Sequence, residues 1–240
     1  MKPKTAKAER TRGRILDAAL ELLRERGYEG TTMRRIARRA GTSVGSAYYY
    51  FPSKGHLVQA FYARTHQEHL AACEDVLASE TRFERRLAGV LEAKLDTIAP
   101  YHRFSGVLFK TAADPESPLN PFSDDSQPTR RQATELFRRV VEGSDLDLRG
   151  PLARKLPDLL WSYHMGVILF WIHDRSPGMR RSYRLAQRTV EIVARLVRIA
   201  NLPPMRPLTR AALELLRELE ELEPETEALS KETADVRTSG

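Results

Sequence analysis

The sequence predicts an all-α protein, with a small N-terminal domain of three helices followed by a larger helical domain. Apolar residues recur at spacings of three and four along most of the 240-residue chain, whereas the alternation typical of strands is missing. Charge is unevenly distributed: residues 1–60 hold 13 Lys and Arg against 5 Asp and Glu, a net of +8, and the remaining residues together come to −1. A basic excess at one end favours a nucleic-acid-binding module, although a solubilising surface would have the same composition.

The first predicted helix spans residues 9–26 and follows a basic arm over residues 1–8. The arm carries three lysines, and it either follows nucleic-acid phosphates or is simply unstructured. The helix has one apolar face, formed by Ile15, Leu16, Ala19, Leu22 and Leu23. Gly27 ends the helix, because glycine adopts the left-handed backbone conformation at little cost.

The next stretch predicts two short helices joined by a tight turn. Thr31 or Thr32 supplies the N-cap of the first helix, whose apolar residues repeat at helical spacing. Gly41 ends that helix, and Thr42 or Ser43 caps the second, which a proline stops about two turns later. A helix, a glycine-containing turn and a second short helix form a helix-turn-helix unit.

This unit resembles the DNA-binding signature of the TetR (tetracycline repressor) family. The similarity is specific over residues 10–60 and is carried by Leu57 together with residues 14–19, 27–28, 31–32 and 40–54. Two departures stand out: Gly55 and His56 replace an acidic pair that is common in the family, and Ala47 replaces a bulkier apolar residue. The resemblance implies an N-terminal DNA-binding domain whose third helix enters the major groove.

The resemblance and the geometry of a groove-bound helix together predict the residues that contact DNA. They are Thr32, Arg34, Ser43, Val44, Gly45, Ser46, Tyr48, Tyr49, Tyr50 and Lys54. Gly45 would let the helix approach the bases closely, and Val44 and Tyr48 would touch thymine methyl groups. Arg34 would reach a guanine edge or a phosphate. Tyr49, Tyr50 and Lys54 are expected to contact phosphates.

Three successive tyrosines cannot all face inward, because successive helical residues are rotated by about 100°. Packing in the core is the alternative for each of them. Tyr50 and Phe51 are expected to be the partly buried pair and Tyr49 to be exposed. Three arginines on the opposite face of the preceding helix are expected to be solvated or close to the backbone, rather than to read bases: Arg35, Arg38 and Arg39.

Further helices are predicted at residues 53–79, 82–98, 101–113, 128–143, 152–173 and 178–201. A loop rich in Pro, Ser and Asp and a tight turn interrupt them at residues 114–128 and 174–178. The predicted domains are therefore an arm, a DNA-binding domain, an effector-binding and dimerisation domain, an extra helix and a disordered tail, over residues 1–8, 9–55, 56–202, 203–222 and 223–240.

The last two long helices of the second domain, at residues 152–173 and 178–201, are predicted to form a dimer interface as a four-helix bundle across a two-fold axis. A single helix-turn-helix unit contacts only a few base pairs, so specific recognition of a DNA sequence requires a homodimer on a near-palindromic site. The interface is predicted at Leu185, Thr189, Ile192, Val193 and Leu196, on an apolar stripe that continues to Val197. An internal core helix would have the same pattern, and the family resemblance favours the interface.

Large side chains within residues 101–113 and 152–173 predict a mostly apolar cavity for a small hydrophobic or aromatic effector. The residues predicted to line this cavity are His102, Phe104, Phe109, Trp161, His164, Met165 and Phe170. The two histidines are its polar groups. A plain hydrophobic core is the alternative interpretation of the same residues.

No catalytic residue, cofactor or metal is predicted, since no nucleophile elbow, phosphate loop or metalloprotease motif occurs. His66, His69 and Cys73 share one face of the fourth helix, a set that suits zinc or copper, but a closed site needs a fourth ligand and a chance polar face is the alternative. The single cysteine excludes an intramolecular disulfide and favours a reducing compartment. A cytoplasmic protein without a signal peptide or a membrane span is expected.

Together these features predict a dimeric, ligand-responsive transcriptional regulator that is not an enzyme. Its partners would be double-stranded DNA, a second copy of the chain and a small-molecule effector, with no membrane involved. A repressor that the effector releases from its operator is the leading hypothesis. The alternative is an architectural or partner-controlled DNA-binding protein that has no small-molecule effector.

Overall fold

The structure, a computed structural model, describes residues 6–113, 117, 120, 123 and 126–219. Within these residues the regular elements are all helical, which confirms the predicted fold class. The helices are α1 (Ala6–Arg26), α2 (Met33–Arg39), α3 (Val44–Tyr50), α4 (Lys54–Ser79), α5 (Phe83–Ile98), α6 (His102–Ala112), α7 (Gln127–Glu142), α8 (Gly150–His173), α9 (Arg180–Ala200) and α10 (206–219). The predicted tail, residues 1–5 of the predicted arm and most of the predicted loop over 114–128 lie outside the described residues.

Helices α1, α2 and α3 form the N-terminal bundle, and their ends follow the predicted signals. Helix α1 begins at Ala6, three residues before the predicted start, and ends where Gly27 adopts a φ of 70°. Thr32 is the N-cap of α2, with its hydroxyl accepting a hydrogen bond from the Arg35 amide at 3.3 Å. Ser43 caps α3 in the same way through the amide of Ser46 at 3.0 Å.

The core of this bundle includes residues from outside the first three helices. Ala47 and Phe51 are fully buried in it, together with the apolar face of α1. Phe61 of α4 reaches the same cluster, and so do Tyr101 and Phe104 from the start of α6. The ring centroids of Phe61 and Tyr101 lie 4.7 Å apart with the rings nearly perpendicular, the edge-to-face contact that aromatic pairs favour. Helix α6 is therefore packed into the N-terminal domain as well as the C-terminal one.

The C-terminal domain is organised around α5, which contacts α4, α7, α8 and α9. Its leucines are completely buried at positions 87, 91 and 95. The turn between α8 and α9 is fixed by Asp174, whose carboxylate accepts hydrogen bonds from the amides of Ser176 and Ser182 and from the Ser182 hydroxyl. Burial alone would raise the pKa of Asp174, but these hydrogen bonds outweigh it and lower the pKa below its ordinary value.

Arg86 of α5 joins three helices through their backbones. Its guanidinium donates hydrogen bonds to the carbonyl oxygens of Leu77 and Glu80 at the end of α4, at 2.8 and 2.5 Å. It also donates to the carbonyls of Val140 and Arg139 near the end of α7, at 3.0 and 2.6 Å. The side chain is only 4% exposed. A buried cation thus satisfies the unpaired carbonyls and the negative dipole ends of two helices at once.

Replacing Arg86 by Met should lower the free energy of unfolding by about 3 kcal/mol or more, because the buried carbonyl oxygens of Leu77 and Val140 lose the donor that Arg86 supplies. Urea unfolding followed by circular dichroism measures this. The matched control is Arg85→Met, since the Arg85 side chain is 63% exposed and pairs with Glu80 only across 3.5 Å. This control should shift stability by no more than about 0.5 kcal/mol. Equal losses in the two variants would contradict the structural role of Arg86.

Candidate nucleic-acid interface and interior cavity

Helix α3 presents a continuous exposed surface at one end of the molecule. Val44, Tyr48 and Tyr49 are exposed, and the Tyr49 side chain is the most open of the three at 80%. Ser43 and Gly45 are exposed as well, whereas Ser46 is half-buried. Apolar and aromatic side chains left in solvent on a short helix are free to contact a partner surface.

The three successive tyrosines divide as the sequence predicted. Tyr50 is half-buried against the N-terminal core, Phe51 is 1% exposed and Tyr49 points outward. The ring of Tyr49 contacts that of Tyr50 edge-on, with centroids 5.2 Å apart. The expectation for this pair and for Tyr49 is confirmed.

The arginines of α2 also separate into two groups. Arg34 is exposed. Arg35 donates to the Gly30 carbonyl at 2.5 Å, so it holds the loop before α2. Arg39 forms ion pairs with Glu21 and Glu25 of α1, at 3.1 and 2.8 Å, and its hydrogen bond lowers the pKa of Glu25. Arg35 is therefore close to the backbone, as the sequence predicted, whereas the ion pairs of Arg39 with α1 were not predicted.

Lys54 is positioned differently from the prediction of a simple phosphate contact. Its ammonium group donates a hydrogen bond to the Tyr28 carbonyl at 3.0 Å and lies 3.8 Å from the centre of the Tyr28 ring. These contacts fix the first turn of α4 to the loop between α1 and α2. Lys54 thus holds the start of α4 against the N-terminal domain.

A cavity of about 1160 Å³ lies between the two domains, with walls from α4, α5, α6, α7 and α8. Four of the residues predicted to line it do so: Phe109, Trp161, His164 and Met165. Its volume falls above the ordinary range for small-ligand pockets.

Three of the residues predicted to line the cavity lie elsewhere. Phe104 is 1% exposed and packs in the N-terminal core against Phe61. The Nε2 atom of His102 donates to the Trp171 carbonyl at 2.8 Å, so its imidazole anchors α6 to α8. Phe170 is 40% exposed on the outer face of α8. Helical spacing correctly predicted that α6 and α8 form part of the cavity wall, but it did not predict which face of each helix is turned towards the cavity.

Several cavity residues were missed or interpreted differently. His66 and His69, considered above as metal ligands or a chance polar face, point inward and line the cavity. Lys94 of α5 lines it too, and the sequence did carry a signal for this. Lys94 falls on the same helical stripe as Leu87, Leu91 and Ile98, where a charged side chain interrupts an otherwise buried face. Among the described residues, no three side chains are grouped as ligands for a metal ion.

The histidines of the cavity are held in the neutral form. Burial, together with the positive charge of Lys94, lowers the pKa of His66 to about 4 and that of His69 to about 3. The same causes lower the pKa of His164. His69 hydrogen-bonds the Val90 carbonyl at 2.9 Å and stacks on His164 with ring centroids 6.0 Å apart. Burial also raises the pKa of the Cys73 thiol to about 12, so this cysteine is not a thiolate at neutral pH.

Helices α8 and α9 leave a second apolar surface in solvent. Ile192 and Leu196, predicted at a dimer interface, are 55% and 59% exposed, and Leu169, Ile199 and Leu202 are exposed as well. The other three predicted interface residues, Leu185, Thr189 and Val193, are half-buried. Val197, which the predicted stripe included, is 6% exposed and belongs to the core.

None of the described helices combines the length and the apolar composition that crossing a bilayer requires.

Two family models match the chain. Residues 15–61 match the model described as bacterial regulatory proteins, tetR family, and residues 86–215 match the tetracyclin repressor-like C-terminal domain.

Curated relatives match over different lengths. The HTH-type transcriptional regulator TtgR of Pseudomonas putida is 38% identical over 196 residues, which covers 78% of this chain and 86% of TtgR. The HTH-type transcriptional repressor KstR of Rhodococcus jostii is 53% identical over 53 residues, 22% of this chain and 25% of KstR. The match to SrpR of Pseudomonas putida, 37% identical, covers 45% of this chain and half of SrpR. The chain thus spans half or less of the length of the last two.

Solved structures share the fold at low identity. A TetR transcriptional regulator from Nitrosomonas europaea superposes with a TM-score of 0.57 at 19% identity, covering 77% of this chain and 98% of that one. FadR from Bacillus subtilis, solved in complex with stearoyl-CoA, gives a TM-score of 0.55 at 15% identity, with coverages of 75% and 96%. These likenesses show the arrangement of helices.

The free energy of unfolding should fall as the pH drops from about 6.5 towards 5. The folded-state pKa values of His66 and His69 lie below the ordinary 6.5, so the unfolded chain binds more protons in this window. Each histidine contributes a slope on the order of 1.4 kcal/mol per pH unit once the pH is well below 6.5. Urea unfolding at pH 7, 6 and 5 measures the slope.

The variant His66→Gln should make this slope shallower. The matched control is His173→Gln, because His173 is exposed at the end of α8. A free energy of unfolding that stays constant between pH 6.5 and 5, or an equal change of slope in both variants, would contradict the assignment of neutral buried imidazoles.

Proposed function

The chain belongs to the TetR family of bacterial regulatory proteins, and from this premise we propose that it is a homodimeric repressor that a small-molecule effector releases from a near-palindromic operator. Proteins of this family are DNA-binding transcriptional regulators and not enzymes. The observation that carries the proposal is the cavity of about 1160 Å³ at the junction of the two domains. A bound molecule there would touch residues of both domains.

A short chain of contacts connects the cavity with the N-terminal domain. Tyr101 lines the cavity and also contacts Phe61 inside the N-terminal core, with centroids 4.7 Å apart. The next residue, His102, is hydrogen-bonded to Trp171 of α8. The residues at the start of α6 therefore contact the N-terminal domain, the cavity and α8, one of the two helices predicted to form the dimer interface. A ligand that favours a different position of this segment would change how the two reading domains are spaced.

The exposed apolar surface of α8 and α9 supports a homodimer. Ile192, Leu196 and Ile199 recur at spacings of four and three and remain in solvent in the single chain. Two such helices from each copy would form a four-helix interface around a two-fold axis. Such a dimer would present two α3 helices to two half-sites of the operator.

A DNA-binding protein without an effector is the second candidate. A tightly filled interior would favour that function, and the large cavity argues against it. The structural neighbour FadR was solved in complex with stearoyl-CoA, so ligand binding has a precedent in a protein with this arrangement of helices.

Fluorescence anisotropy of the purified protein, titrated against the DNA upstream of its own gene and against a shuffled fragment at the same salt concentration, tests the DNA-binding part. Tight binding to the upstream DNA alone is expected. Equal and strongly salt-dependent binding to both fragments would instead favour the architectural candidate. Absence of binding to either would count against the repressor.

Substitutions on α3 should separate positioning contacts from reading contacts. Tyr49→Phe should weaken binding to the operator and to the shuffled fragment by a similar factor, up to about tenfold, because a phosphate contact carries no sequence information. Val44→Ala should weaken binding to the operator alone. The matched control for Arg34→Ala is Arg131→Ala, the same change at an exposed arginine on α7. This control should leave the affinities for the operator and for the shuffled fragment unchanged. If Val44→Ala and Tyr49→Phe acted alike on both fragments, the docking of α3 would be wrong.

Leu196→Glu should convert the dimer into a monomer and reduce operator affinity by about a hundredfold or more, because a charge would be buried at the interface and only one half-site would be read. Sedimentation-velocity centrifugation and the anisotropy assay measure the two effects. The matched control is Leu208→Glu, the same change at a leucine that is 64% exposed on α10. A Leu196→Glu protein that remains dimeric would refute the proposed interface.

A further inference from the structure

The cavity contains more unsatisfied polar groups than a purely apolar effector requires. Both ring nitrogens of His164 and the Nε2 atom of His66 are buried without a hydrogen-bond partner. Each of these side chains is only 5% exposed, and both line the cavity. Buried polar atoms without partners are costly, and native proteins leave few of them. A ligand that hydrogen-bonds these imidazoles would remove the cost.

The charge of the cavity wall is positive. Lys94 lines the cavity from α5, and among the described residues no carboxylate forms an ion pair with it. Arg12 and Arg130 line it as well, whereas none of the described lining residues is Asp or Glu. Burial lowers the pKa of Lys94 to about 8, so at neutral pH this lysine is still charged in most molecules. Lys94 lines the same cavity as His66, His69 and His164, and its positive charge contributes to lowering the pKa values of all three histidines.

We propose that the effector is an organic acid: a molecule with an apolar body and one carboxylate, whose carboxylate pairs with Lys94 and accepts hydrogen bonds from the imidazoles of His66 and His164. This inference rests on the proposed function, because it assigns the chemical class of the effector for the same cavity. It adds one charged group to the mostly apolar effector that the sequence favoured.

The chemistry of the wall fits a carboxylate better than a neutral head group. A neutral imidazole carries one N–H donor, and a carboxylate has two oxygens that accept from several donors at once. Hydrogen bonds to a charged group are about twice as strong as those between neutral groups. The water-poor surroundings strengthen the attraction between the carboxylate and the ammonium group. A primary amide of the same shape would keep the hydrogen bonds but not the ion pair.

The remainder of the cavity fits the apolar body. Phe109, Phe137, Trp161 and Met165 line it, and the ring of Phe137 lies 5.4 Å from that of His164. The polar groups on α4, α5 and α8 thus adjoin an aromatic wall. This division into one charged region and one apolar region is what an amphipathic acid requires.

Isothermal titration calorimetry with matched acids and amides tests the proposal on the full-length protein at pH 7. The probes are 4-phenylbutyrate with 4-phenylbutanamide, and octanoate with octanamide. In the wild-type protein, the acid of at least one pair should bind about tenfold more tightly than its amide. Lys94→Met should reduce that preference to less than about twofold. Lys94→Arg, which retains the charge, should keep a preference for the acid.

The matched control is Lys155→Met, the same substitution at a lysine paired with Asp158 outside the cavity, which should leave the preference intact. Equal affinity for acid and amide in the wild-type protein, or a preference that survives in Lys94→Met, would overturn this inference and leave the effector cavity standing. If neither probe of either pair binds while the upstream DNA does, both the inference and the effector part of the proposed function fail. If Lys94→Met does not fold, the wild-type ratio and Lys94→Arg decide alone.

Discussion

The guanidinium of Arg86 is the interaction on which the C-terminal domain depends. It holds the final carbonyls of α4 and α7 against α5, and these three helices supply His66, Lys94 and Phe137 to the cavity wall. The close approach leaves no space at the end of α7, since a Cβ atom on Gly143 would collide with the guanidinium. A large cavity forfeits the packing that normally fixes neighbouring helices. A buried cation bonded to their backbones fixes them without filling the interior.

The opposite wall of the cavity is built differently. The start of α6 is held by the aromatic contact of Tyr101 with Phe61 and by the hydrogen bond from His102 to Trp171. These contacts tie it to α4 and α8 at once, and among the described residues no buried ion comparable to Arg86 holds it. The molecule therefore has one wall fixed by charged hydrogen bonds and another that is fixed by a few aromatic contacts. A conformational change caused by a ligand would concentrate at the second wall, since fewer interactions have to be exchanged there.

Local signals were sufficient to predict the helices and the exposed face of α3. Gly27 and Gly41 have positive φ angles where helix ends were expected, and Thr32 and Ser43 are the caps. The residues that line the cavity were harder to predict. Helical periodicity shows that residues share one face of a helix, but it does not show which other element that face contacts. Phe104 looked like a lining residue until the packing of α6 into the other domain placed it in that core. Lys94 could have been found, since a lysine within a leucine stripe is a rare pattern.

The charge of the cavity also determines what a ligand can do there. A cation to which the described residues supply no counterion and buried imidazoles without hydrogen-bond partners are both unfavourable. A ligand that pairs with these groups gains binding free energy. A ligand that binds two conformations equally well does not shift the equilibrium between them, however tightly it binds. Lys94 lies on the wall that Arg86 fixes, so contacts with the carboxylate would be similar in both conformations and would supply affinity and orientation. The apolar body would then press on Tyr101 and α6, and the difference between the two conformations would arise at that wall.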